Sequence, residues 1–211
     1  MSLLHKLCSN LTDAIKAKVD SVDEGKAEII HYGLYLWITD TIKLALILIT
    51  AYFLNILTET VIFLISFGLL RTFAGGAHAK TFMSCLILNS LITFGTVYLS
   101  IWLSFINPII ICMAIMPFCT LAVYFYAPSD HENKPVTSKK QRKRLKTIAY
   151  IILFSELSLS ILFNQSLIAF SIFAVCLGIL PITYKIMGNR YGTGQQDNSK
   201  RIKQARKEGS L

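Results

Sequence analysis

Residues 82–103 read FMSCLILNSLITFGTVYLSIWL, an apolar run without one charged side chain. A helix needs roughly 20 such residues to cross the hydrocarbon core of a bilayer, with a range of about 17–25. This run meets that length alone, and the chain around it repeats the pattern. Downstream, apolar segments fall at about 108–126, 147–163 and 167–185, separated by short turns at 104–108 and 164–166. Upstream lie a segment at 41–57 and a shorter one at 59–73, with the turn between them at 55–60. The first pair therefore reads either as a full hairpin or as a shallower re-entrant one.

Composition agrees. Of 211 residues, 54% are hydrophobic and 16% charged, against about 25% charged in an ordinary soluble domain. Apolar residues gathered in long runs point to lipid as the solvent, not to a water-facing shell around one core. The expected fold is all-α and polytopic, with about six apolar helical segments.

The charges give the orientation. With residue 1 inside and six crossings, the outer turns at 55–60, 104–108 and 164–166 contain no Lys or Arg. All 21 basic residues then fall inside or at inner span ends, as the positive-inside rule requires. Four crossings would leave the parity unchanged, so both termini are expected on the cytoplasmic side. The net charge of +9 does not indicate a nucleic-acid binder. Its basic residues flank apolar runs and lack the interleaved aromatics of a base-stacking surface.

Before the first span, Leu3, Leu7, Leu11, Ile15 and Val19 recur every four residues. They predict an amphipathic helix over 2–20, lying at the inner membrane interface or packed on the protein's own loops. Tyr32, Tyr35 and Trp37 suit the headgroup level. The first forty residues lack the layout of a cleavable secretory leader. Three regions result: an interfacial segment over 1–40, a transmembrane domain over 41–185 with a basic loop at 127–146, and a basic tail over 186–211. Cys8, Cys85, Cys112, Cys119 and Cys176 form no CxxC pair, so neither a disulfide framework nor a zinc site is expected. No other metal or cofactor is expected either.

The chemistry is expected in the loop over 71–85, RTFAGGAHAKTFMSC. Cys85 lies near the start of a predicted helix, where the dipole is positive, with Thr81 as an N-cap and Arg71 and Lys80 close in sequence. Such surroundings favour the thiolate, the reactive form. His78 is a candidate base. Seven residues along one helix rise about 10.5 Å, so His78 must lie outside that helix, and Gly75-Gly76 supplies a bend.

The spacing R-x4-G-x-H-x6-C, here Arg71, Gly76, His78 and Cys85, resembles the accessory gene regulator B family. The string APSDHENKP at 127–135 resembles that family's loop after its fourth apolar segment. The similarity extends over nearly the whole chain. It implies a membrane cysteine endopeptidase of a Gram-positive cell membrane. The enzyme would cut the C-terminal part from a small amphipathic, AgrD-like precursor and promote cyclisation of the rest to a thiolactone or lactone quorum-sensing signal. By that resemblance Cys85 is the nucleophile, His78 the general base, and Arg71 and Gly76 further motif positions. A homodimer is a further expectation drawn from the family.

Other residues carry two readings each. Asn89, four residues after Cys85, either orients His78 or makes a helix–helix hydrogen bond. Glu156, in mid-span, either serves peptide recognition or conduction, or is a protonated side chain bonded to a serine. Lys139, Lys140, Arg142, Lys143 and Arg144 either meet anionic lipid or dock an acidic peptide segment. His131 reads as a loop residue. The competing functions are a peptide exporter that does not cut and a membrane scaffold.

Overall fold

The computed structural model describes residues 3–18, 23–77, 81–129 and 138–187. They form eight helices: α1 (Leu3–Lys18), α2 (Glu24–Phe53), α3 (Leu57–Ala74), α4 (Phe82–Trp102), α5 (Pro108–Tyr126), α6 (Lys139–Leu162), α7 (Ser166–Gly178) and α8 (Pro181–Ile186). Helices α2 to α6 are long and apolar enough to cross a membrane. The chain is an all-α membrane protein, and α7 completes the six apolar segments. It divides into two compact units, 1–55 and 56–211.

In the first unit α1 packs on α2 through Cys8 and Thr12, both buried, while Leu7 and Leu11 are 48% and 42% exposed. The amphipathic stripe is thus divided: one edge meets α2 and the other stays open, as an interfacial helix requires. Helix α2 starts at Asp23, whose carboxylate accepts from the Lys26 N–H. It runs unbroken through the aromatic segment and across Asp40 and Lys43. That charged pair does not end the helix, because Lys43 folds back on Asp40 at 2.8 Å, one turn away. The 41–57 segment is therefore the second half of a helix 30 residues long. Asn55, with φ 56, takes the left-handed backbone that ends it.

The second unit is organised around α7, which packs against α3, α4, α5 and α6. Its 13 residues give only about 20 Å of helix. They are apolar on every face, and those buried include Leu167, Ala169, Phe170, Ile172, Val175 and Cys176. A helix apolar all round belongs inside a bundle. The predicted segment at 167–185 is accordingly broken: Pro181 cannot donate to the ladder, and it opens α8 at the first position. Small polar side chains tie neighbours together. Ser66 and Ser171 are 2.6 Å apart, Ser100 and Ser166 3.2 Å, and the Cys112 thiol donates to Ser160 at 3.6 Å. Such bonds average roughly 0.6 kcal/mol in membranes, so close packing carries most of the stability. The opposite faces expose Ile87, Leu91, Trp102, Met113 and Phe125, the side chains lipid would cover.

Helix α6 begins at Lys139, inside the stretch expected to be a polar loop over 127–146. Lys, Arg and Gln are good helix formers and no Gly or Pro intervenes, so the helix continues out of its apolar part into the basic run.

Candidate functional site

Helix α3 ends on Gly75, whose backbone, φ 81 and ψ −157, lies in a region open almost only to glycine. A Cβ there would stand 2.2 Å from the Ser129 carbonyl oxygen. Gly76 follows with φ 149, and a Cβ on it would press on the Arg71 guanidinium. The glycine pair thus does more than bend the chain. It lets two neighbours approach: the segment after α5 and the Arg71 side chain.

Those neighbours pin the backbone that leads into position 78. Arg71 stacks over the Phe67 ring and donates from Nη2 to the Ala77 carbonyl at 2.6 Å. The Ala77 N–H donates to the Gly178 carbonyl at the end of α7, at 3.1 Å. Behind this, Ser129 donates its N–H to the Ala74 carbonyl at 2.9 Å and its hydroxyl to the Tyr184 oxygen at 2.6 Å. Ser129 and Tyr184 are both buried. Ala77 is therefore held on its N–H and its carbonyl, and the turn before it is braced from two further segments. Arg71 and Gly76 thus each have a definite contact in this turn. Ser129, Tyr184 and Gly178 were not singled out from sequence. Ser129 does fall inside the 127–135 string; Tyr184 and Gly178 reach the site only through contacts across the fold.

Cys85 sits in the second turn of α4. Thr81 is the N-cap, as its position predicted. Its hydroxyl accepts from the Ser84 N–H at 3.2 Å, and the Ser84 hydroxyl accepts from the Thr81 N–H at 3.3 Å. Thr81 is extended, with φ −115 and ψ 154, so the helix carrying Cys85 starts after position 78. The thiol is half-buried, and the Asn89 amide donates to its sulfur at 3.8 Å. Asn89 thus contacts the Cys85 thiol directly, which neither sequence reading of it had foreseen. His78 lies outside the described residues, as do Lys80 and His131.

The other candidates sit apart. Glu156 is buried in α6, beside Ser66 of α3. Lys139, Lys140, Lys143 and Arg144 are exposed on the first two turns of α6, and Arg142 reaches the Pro128 carbonyl at 3.4 Å. Cations at a helix N-terminus oppose its dipole, and Ser138 supplies no side-chain cap. That run is suited to an anionic neighbour, and it lies at the same end of the second unit as Arg71 and Ser129. Among the described residues no group of three or more His, Cys, Asp or Glu could hold a metal ion.

Comparison with known proteins agrees with this layout. The sequence profile described as Accessory gene regulator B matches residues 8–184. An AgrB-like protein of Clostridium acetobutylicum is 33% identical over 153 residues, covering 71% of this chain and 72% of its own length. An AgrB-like protein of Clostridium perfringens is 32% identical over 200 residues, covering 87% and 94%. One from Listeria monocytogenes is 27% identical over 172 residues, covering 77% and 80%. No solved structure matches. A match over most of the length, spanning α3, α4 and the segment after α5, leaves one conclusion: the chain belongs to the accessory gene regulator B family.

Proposed function

We propose that this protein is a membrane cysteine endopeptidase that cuts a small precursor peptide through Cys85 and promotes its cyclisation. Family membership supports a role in accessory gene regulator peptide processing. The observation that carries the finer reading is Cys85 itself: a half-buried thiol in the second turn of a capped helix, with an amide donor on its sulfur.

The steps follow from the residue types. The Cys85 proton passes to the His78 imidazole, and the sulfur attacks a backbone carbonyl of the precursor. The C–N bond breaks, and His78 returns the proton to the leaving amine of the C-terminal part. The N-terminal part stays on Cys85 as a thioester. A Cys or Ser within that same fragment attacks the thioester carbonyl and gives its proton to His78. The bond to Cys85 breaks, and the thiolate is reprotonated. Ring closure thus needs no new activation, and a poorly hydrated site disfavours the competing hydrolysis. The fixed backbone before His78 serves this chemistry, because a misplaced base of about 1 Å can cost a hundredfold in rate.

The basic start of α6 would receive the acidic part of the precursor at the cytoplasmic face. The test is co-expression of the precursor with wild-type or Cys85→Ala protein, followed by mass spectrometry of the peptide. Loss of the cleaved fragments in the mutant is expected. Unchanged cleavage would overturn the reading, and intact peptide accumulating outside the cell would favour an exporter instead.

A further inference from the structure

The bundle holds a polar group that the cleavage chemistry does not use. Glu156 is 4% exposed, and neither carboxyl oxygen has a hydrogen-bond partner. It is the one charged-type residue of α6 beyond Lys146. The side chain that bears on it is Ser66, close enough to act on the carboxyl without a formed hydrogen bond.

Proton bookkeeping around Ser66 is decisive. Ser171 has one hydroxyl proton and donates it to the Ile168 carbonyl at 2.7 Å. The bond of 2.6 Å between Ser66 and Ser171 must then use the Ser66 proton. Ser66 is left with lone pairs only toward Glu156. An ionised carboxylate would therefore face another acceptor inside an apolar bundle, the costliest arrangement for a buried charge. A carboxylic acid carries no such charge, and its O–H is a donor that the Ser66 lone pairs can accept once the two close to hydrogen-bond distance, extending the existing line from Ser66 to Ser171 and the Ile168 carbonyl.

Among the described residues, the elements packed on α6 offer no compensating cation. On α3 the charged residues are Glu59 in the first turn and Arg71 in the last, and Arg71 is engaged with Ala77. Helix α5 has no charged side chain; its Cys112 donates to Ser160, Cys119 is buried, and Tyr124 and Tyr126 lie at its far end. Helix α7 has only Cys176, which donates to the Cys119 carbonyl. On α6 itself the nearest titratable group toward the basic end is Tyr150.

We propose that Glu156, Ser66 and Ser171 form a proton-binding site, filled while α3 packs on α6 and α7 and emptied only when that packing opens to water. The site takes a single positive charge, since a divalent cation would leave net charge in the bundle. Its occupancy is thereby linked to a movement of α3, the helix that also carries Arg71.

The test needs no precursor peptide, so it stands apart from the endopeptidase reading. Infrared difference spectra of the purified full chain in detergent, wild type minus Glu156→Gln, are recorded at pH 7 in H2O and D2O. An ordinary glutamate, with a pKa of about 4.3, would be protonated in only about one molecule in 500 at that pH. The expected result is a near-stoichiometric protonated-carboxyl band, assigned to Glu156 and shifted in D2O as the packing opens. A pair of carboxylate bands would overturn the proposal. So would a band that D2O never shifts, since the proton would then not exchange. Conversion of the band to carboxylate on adding sodium chloride, but not choline chloride, would also overturn it by making sodium the occupant. Matching thermal melts of the two proteins exclude an unfolded variant.

Discussion

At the scale of single residues, the informative contact is the Asn89 amide on the Cys85 sulfur at 3.8 Å. A hydrogen bond of this kind contributes about 1 kcal/mol, or roughly fivefold in an equilibrium. Asn89→Ala should therefore slow alkylation of Cys85 by iodoacetamide at neutral pH by about three- to tenfold, read by site-resolved mass spectrometry. An unchanged rate would remove Asn89 from the site. Arg71→Lys is the second residue-scale case. A lysine cannot stack over Phe67 and reach the Ala77 carbonyl in the same way, because it lacks the planar fork. A hydrogen bond from a charged group is worth about 1.5–3 kcal/mol, so precursor cleavage should fall by tenfold or more despite the retained charge. The helix start and the Thr81 cap around Cys85 were legible in sequence because both are local features, whereas the role proposed for its thiol came from the family resemblance. The place of Asn89 was half legible: its spacing put it on the right face, but the partner was the sulfur.

At the scale of elements, the brace around Gly75 gives a sharper case. Ser129 and Tyr184 are both buried and bonded to each other. Removing one partner takes a buried hydrogen bond from the other, at about 1–3 kcal/mol, and removing both costs less than the sum of the two single changes. Thermal melts in detergent should thus show Tyr184→Phe and Ser129→Ala each destabilising, and the double variant less so than their sum. Strict additivity would mean that the bond does not form. Gly75→Ala should cost more than either, because it adds a forbidden backbone to a 2.2 Å approach. None of these contacts could be read from sequence, since Ser129 and Tyr184 are 55 residues apart. The long spans could be read because each is a continuous apolar run. The continuity of α2 across Asp40 and Lys43, the break before Pro181 and the start of α6 inside its basic run were not. Each of these depends on local pairing, burial or propensity outweighing the polarity that usually marks a boundary.

At the scale of the molecule, the second unit gathers Arg71, Gly75, Ser129, Tyr184 and the basic start of α6 at one end, and its turns at 103–107 and 163–165 at the other. By the positive-inside rule, the orientation we propose has the first end in the cytoplasm. A membrane-impermeant maleimide on whole cells should label Phe105→Cys and Asn164→Cys, and should reach Ser138→Cys only after permeabilisation. The reverse pattern would invert the orientation and put the basic residues outside. In the proposed orientation, the thiol and the basic helix start share the cytoplasmic face, and a peptide cut there would remain there unless it were carried across.

The most direct measurement of the central claim is the intact mass of the purified protein within the first turnovers on a synthetic precursor. The account predicts a transient gain equal to the N-terminal part of that precursor, localised to Cys85, released by hydroxylamine and missing in Cys85→Ala. Cleavage that proceeds while no such adduct forms on Cys85, under conditions that trap thioesters, would contradict it.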